Sequence, residues 1–64
     1  MKLKTSFVPE WNRHFLTAEK EYEVTDVYVP YGAYIVDDMG HSLHVFIGKP
    51  CFLLAGKYWD LVQE

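Results

Sequence analysis

Tyr34-Ile-Val-Asp-Asp-Met-Gly-His-Ser-Leu-His-Val-Phe46 reads as two strands joined by a tight turn. Its second half alternates. Leu43, Val45 and the following Ile47 take one face, while Ser42, His44 and Phe46 take the other. Between the halves, Asp38-Met-Gly40 carries turn chemistry: Gly40 supplies a positive φ, and Asp37 or Asp38 can accept hydrogen bonds from turn amides. The same stretch holds a possible metal set of Asp37, Asp38, His41 and His44. The two histidines are three apart across a turn-to-strand junction, and in an extended strand such residues point to opposite faces. The hairpin is therefore the expectation, and no metal or other cofactor is expected.

Working outward, Tyr22-Glu-Val-Thr-Asp-Val-Tyr-Val29 is rich in β-branched and aromatic residues. Tyr22 and Val24 share an apolar phase that slips near Asp26. Beyond it Val27 and Val29 carry the phase, unless Tyr28 is also buried. A one-residue slip predicts a β-bulge. Pro30-Tyr-Gly32 is a turn and Ala33 to Asp37 a strand. At the start, Leu3 between Lys2 and Lys4 suits a first strand that Pro9 ends. Residues 9–16 admit a short helical turn, with Trp11 and Phe15 four apart, or an irregular loop that folds Trp11 onto the barrel. The loop is favoured because the segment is short for a stable helix. Cys51-Phe-Leu-Leu-Ala55 is an apolar run, the sixth strand where six are counted, and Tyr58-Trp-Asp-Leu-Val62 closes the chain.

Five or six short antiparallel strands separated by Gly, Pro and Asp turns predict an all-β fold. In 64 residues a small, strongly bent barrel hides sheet edges most economically, which favours an SH3-like barrel forming one domain over residues 1–64. An open antiparallel sheet with one short helix is the alternative. The core supply is ample, since half the residues are hydrophobic and 17% are aromatic. Cys51 is the sole cysteine, so no internal disulfide staples the chain, which suits a reducing compartment. Neither a signal peptide at Met1–Ser6 nor a membrane span is expected, which points to a cytoplasmic protein with no membrane partner.

The order of "FLTAEKEYEVTDV", "YIVDDMGHSLHVF" and "KYWDLV" resembles small phage and prophage-type proteins with SH3-like barrels. The matching positions are Lys20, Tyr22 and Val24; Val36, Asp37, Asp38 and Gly40; and Trp59, Leu61 and Val62. Residues 48–56 depart from the pattern as an insert-like stretch before the last strand. The resemblance implies a fold and no shared activity.

For chemistry, Cys51 beside Phe52-Leu-Leu54 reads as a buried small hydrophobe rather than a nucleophile. Ser42 lacks a nucleophile elbow, and no phosphate loop or nucleotide fingerprint is present. An enzyme is not expected. The binding candidates are aromatic: Trp11, Tyr28, Tyr31, Tyr34 and Phe46, with His44 on the outward phase beside Phe46. They compete with a role as core lids, except at Tyr31, which Pro30 and Gly32 should push outward. The leading expectation is a non-enzymatic interaction protein that binds a host protein, as a phage inhibitor would, or a second copy of itself. The alternative is a nucleic-acid-associated SH3-like module using Lys2, Lys4, Arg13, His14, Lys20, Lys49 and Lys57. A net charge of −3 and the scatter of these residues weigh against it.

Overall fold

Tyr22-Glu-Val-Thr-Asp-Val-Tyr28, with its β-branched and aromatic side chains, forms the long central strand of a five-stranded antiparallel sheet. The computed structural model describes residues 1–28 and 30–63. The strands are β1 (Lys2–Lys4), β2 (Tyr22–Tyr28), β3 (Gly32–Val36), β4 (Ser42–Phe46) and β5 (Asp60–Val62). Their order across the sheet is β4-β3-β2-β1-β5. The start of β2 pairs with β1 and its end with β3, so the sheet curls into a half-barrel compatible with a small SH3-like barrel. The fold is all-β, with two short 3-10 turns, Glu10–Asn12 and Phe52–Leu54.

The predicted bulge lies where the alternation slips. Val24 pairs with Ile35 and Asp26 with Tyr34, so Thr25 is the extra residue on β2. Val27 pairs with the fully buried Ala33 and so lies on its side of the sheet beyond the bulge, but it is itself 52% exposed. Val29, expected to share that side, lies outside the described residues.

The β3–β4 hairpin has the expected register, Ile35 with Leu43 and Ala33 with Val45. Asp37 builds its turn: Oδ1 accepts from the Met39 and His41 amides, both at 2.9 Å. Gly40 takes φ +82°. Leu3, Leu16, Ile35, Val45, Cys51 and Leu54 are fully buried, with Tyr22 and Trp59 beside them. Each large apolar side chain removed from water contributes about 1.5–3 kcal/mol.

Two expectations need correction. Residues 9–16 adopt the helical-turn alternative, not the favoured loop: Pro9 enters the 3-10 turn, whose Asn12 is buried and donates to Leu53 O at 2.6 Å. Trp11 is not folded onto the barrel; it is 60% exposed. Cys51 to Ala55 is likewise no strand. Leu53 and Leu54 are adjacent and both buried, which alternation forbids and a 3-10 turn allows. Ala55 closes that turn at φ +55°, and Cys51 makes a single bridge to Lys57.

The long connection from β1 to β2 is pinned at several points. Glu19 N–H donates to Thr5 O at 2.7 Å and Asp38 N–H to Phe15 O at 2.9 Å. The Asp38 carboxylate accepts from Thr17 Oγ1 (2.6 Å), Lys20 Nζ (2.5 Å) and Tyr22 OH (3.0 Å). No helix among the described residues is long and apolar enough to cross a membrane.

Candidate functional site

Residues paired across neighbouring strands share a face. Ala33 and Ile35 point into the core, so Gly32 and Tyr34 point out. Their partners Tyr28, Asp26, His44 and Phe46 point out with them. The result is a joined set of rings on the outer face of β2, β3 and β4. Tyr28 stacks on His44 at 5.3 Å between centroids, with its hydroxyl 2.5 Å from His44 Nε2. Tyr34 lies 5.6 Å from Tyr28 and 5.3 Å from His44. Phe46 packs edge-on against His44 at 5.3 Å and reaches Phe52 at 6.5 Å.

Gly32 makes this packing possible. A Cβ there would lie 2.6 Å from Tyr28 Cε2 and 3.1 Å from His44 Nε2. The Tyr28 and His44 rings therefore lie over bare backbone between the strands. Tyr28 and Tyr31 remain 40% and 46% exposed. Together with Pro30 and Gly32 they border two shallow concavities. One, of about 200 Å³, continues to Val27, Ile47 and Leu61; the other, of about 220 Å³, continues to His44, Phe46 and Lys49. Lys49 Nζ lies 4.8 Å from the centre of the Tyr31 ring, a cation–π distance. A larger hollow of about 280 Å³ lies beside Ser6, Arg13 and Thr17. Two of its polar groups are engaged within the chain: Arg13 Nε donates to Val8 O and Thr17 Oγ1 to Asp38.

Electrostatics separate the two ends of β2. Desolvation pushes the Tyr28 phenol up, and Tyr34 and the charge of Asp26 add to this. Tyr22 is also pushed up, first by burial, with the nearby Asp38 adding. Burial pushes the Asp38 carboxyl up, but the hydrogen bonds from Lys20, Thr17 and Tyr22 and the Lys20 charge outweigh it, so it lies below its ordinary value. Lys20 is raised, chiefly by its bond to Asp38. Asp37 and Asp38 thus serve separate structural tasks. Among the described residues, no three His, Cys, Asp or Glu side chains group where they could hold a metal ion.

Of the candidates read from the sequence, the structure joins Tyr28, Tyr34, His44 and Phe46 and places Tyr31 beside them. Trp11 makes none of these ring contacts. It stands on the first 3-10 turn, which Asn12 ties to the second, where Phe52 is 67% exposed. Phe52 and Gly32 are not among the candidates read from the sequence, and Lys49 is there only as a nucleic-acid contact. Phe52 was hidden in an apolar run that looked like core. Gly32 becomes legible only once the register opposite Tyr28 is known. Comparison with protein families, curated proteins and solved structures gives no match to this chain.

Proposed function

We propose that this chain is a non-enzymatic interaction module that docks a protein partner on the outer aromatic face of β2–β4. One observation carries the reading: Tyr28, Tyr34, His44 and Phe46 form a joined cluster on the side of the sheet away from Ala33, Ile35 and Val45. Core filling does not account for it, because the core has its own aromatics in Tyr22 and Trp59. Rigid, partly exposed rings beside shallow apolar hollows are the usual energetic centre of a protein interface. Asp26 and Lys49 give the rim charges of both signs, which set partner choice and encounter rate more than affinity. Occluding a host protein's surface, as a phage-encoded inhibitor would, needs no more chemistry than this.

The test is capture of a bacterial partner by the immobilised chain, followed by affinity measurement with the identified protein. The double variant Tyr31→Ala, Phe46→Ser should weaken binding at least about a hundredfold, as expected for two anchor residues. Equal binding by the variant would refute this surface. Salt-sensitive binding to single-stranded nucleic acid, lost in the same variant, would replace the protein partner with a stacking ligand.

A further inference from the structure

We propose that the open edge of β4 pairs with the same edge of a second copy of this chain, antiparallel, about a two-fold axis at His44. The starting point is hydrogen-bond parity. Asp37 N–H donates to His41 O and Ile47 N–H to Tyr31 O. Ala33 with Val45 and Ile35 with Leu43 continue that odd-numbered series. An antiparallel ladder alternates bonded and non-bonded pairs, so Ser42, His44 and Phe46 aim their N–H and C=O groups away from β3. β4 ends the sheet on that side, and among the described residues no backbone bond from outside the hairpin reaches those three.

The edge lacks the usual protection against pairing. Natural edge strands carry lysine, proline or a bulge, or are very short. Ser42-Leu-His-Val-Phe46 has none of these features. The opposite edge, β5, is three residues long and carries Asp60.

The occupant is a second copy because the edge is complementary to itself. The three outward residues are centred on His44. With a two-fold axis there, Ser42 faces the second copy's Phe46 and His44 faces its own equivalent, each pair exchanging two backbone bonds. The small Ser42 leaves room for the large Phe46 ring. Neither β4 carries a formal charge to repel the other. Because the axis is normal to the sheet, both aromatic faces fall on one side and merge into a longer surface. The pairing is made by backbone groups and does not depend on what that face binds.

The test uses sedimentation from micromolar to about millimolar concentration on the wild-type chain and two variants. One is made by chemical synthesis with an N-methyl group on the His44 amide, which points away from the monomer's own ladder. The other is His44→Lys, which sets two like charges at the axis. Wild type should dimerise with concentration, and both variants should weaken the dimer at least about tenfold while keeping the wild-type circular dichroism. Amide exchange at Ser42, His44 and Phe46 should slow on concentrating the wild type, with Leu43 and Val45 already protected when dilute. A strict monomer throughout would overturn the proposal. So would a dimer that survives N-methylation undiminished, or exchange that slows only elsewhere.

Discussion

Tyr22 and Tyr28 sit on one strand, six residues apart, and meet opposite fates. Six is an even spacing, so an unbroken strand would place both rings on one face. Tyr22 is 2% exposed, accepts from Thr17 N–H at 2.7 Å and donates to Asp38. Tyr28 is 40% exposed and shares a hydroxyl hydrogen bond with His44 on the outer face. The cause is the extra residue between them: the bulge at Thr25 inverts the phase of β2, keeping Tyr22 in the core and turning Tyr28 onto the outer face. An exposed outer-face ring and a core anchor are thus made from the same residue type by one inserted position.

The most direct way to sharpen this contrast is to delete Thr25. With the extra residue gone, Tyr22 and Tyr28 are an odd number of positions apart, and β2 can alternate without a slip while keeping the pairs Val24–Ile35, Asp26–Tyr34, Val27–Ala33 and Tyr28–Gly32. What is lost is the bend and added twist of the bulge where β2 passes from β1 to β3, at a cost of about 3 kcal/mol in denaturant melts. The deletion variant should stay folded by circular dichroism and amide dispersion, with Tyr22 buried and Tyr28 exposed. A folded variant with Tyr28 buried would show that the extra residue does not set the phase.

Asp38 tests the other end of the strand. It gathers Thr17, Lys20 and Tyr22 onto the hairpin, so Asp38→Ala removes three hydrogen bonds to one carboxylate. About 2 kcal/mol of stability should be lost in denaturant melts, with the aromatic face still competent to bind. The pH dependence has a definite sign. The folded Asp38 lies below its ordinary value, so its contribution is present above the unfolded carboxylate pKa, about 3.9, and is lost as pH falls through the folded value. Asp38→Asn should flatten that acid limb. Lys20 is raised, so its share is present below the unfolded lysine pKa and is lost as pH rises through the folded one. An acid limb unchanged in Asp38→Asn would mean that other carboxylates govern it.

Much of this arrangement is legible in the residues, and the rest is hidden for physical reasons. The outward phase of His44 and Phe46 follows from strict alternation around Leu43 and Val45. The slip at Asp26 announces the bulge, although the ambiguity over Tyr28 is resolved only by pairing with Gly32. Cys51 to Leu54 offers no period, so an apolar 3-10 turn and an apolar strand look alike. Trp11 belongs to a turn whose anchor, Asn12, bonds to Leu53, far along the chain. Asp37 and Asp38 are chemically identical neighbours. Only the approach of Thr17, Lys20 and Tyr22 assigns one to the turn and the other to the clasp.

The smallest change in stability is expected at Gly32, and it is the change most specific to the outer face. Gly32 has no positive φ to protect, so the effect of Gly32→Ala comes from space alone. The new Cβ meets the Tyr28 ring at 2.6 Å, and that ring is half in solvent and able to swing away. Relief by ring rotation should hold the loss of stability to about 1 kcal/mol. The rotation would break the Tyr28–His44 stack and its hydrogen bond, leaving Tyr22 and the Asp38 clasp untouched. Ring contacts between Tyr28 and His44 in NMR should therefore vanish while those between Tyr22 and Trp59 persist. Partner binding should fall at least about tenfold. If binding survives while the stack is lost, the partner reads Tyr31 and Phe46 without Tyr28, and the site shifts toward the hollow beside Lys49.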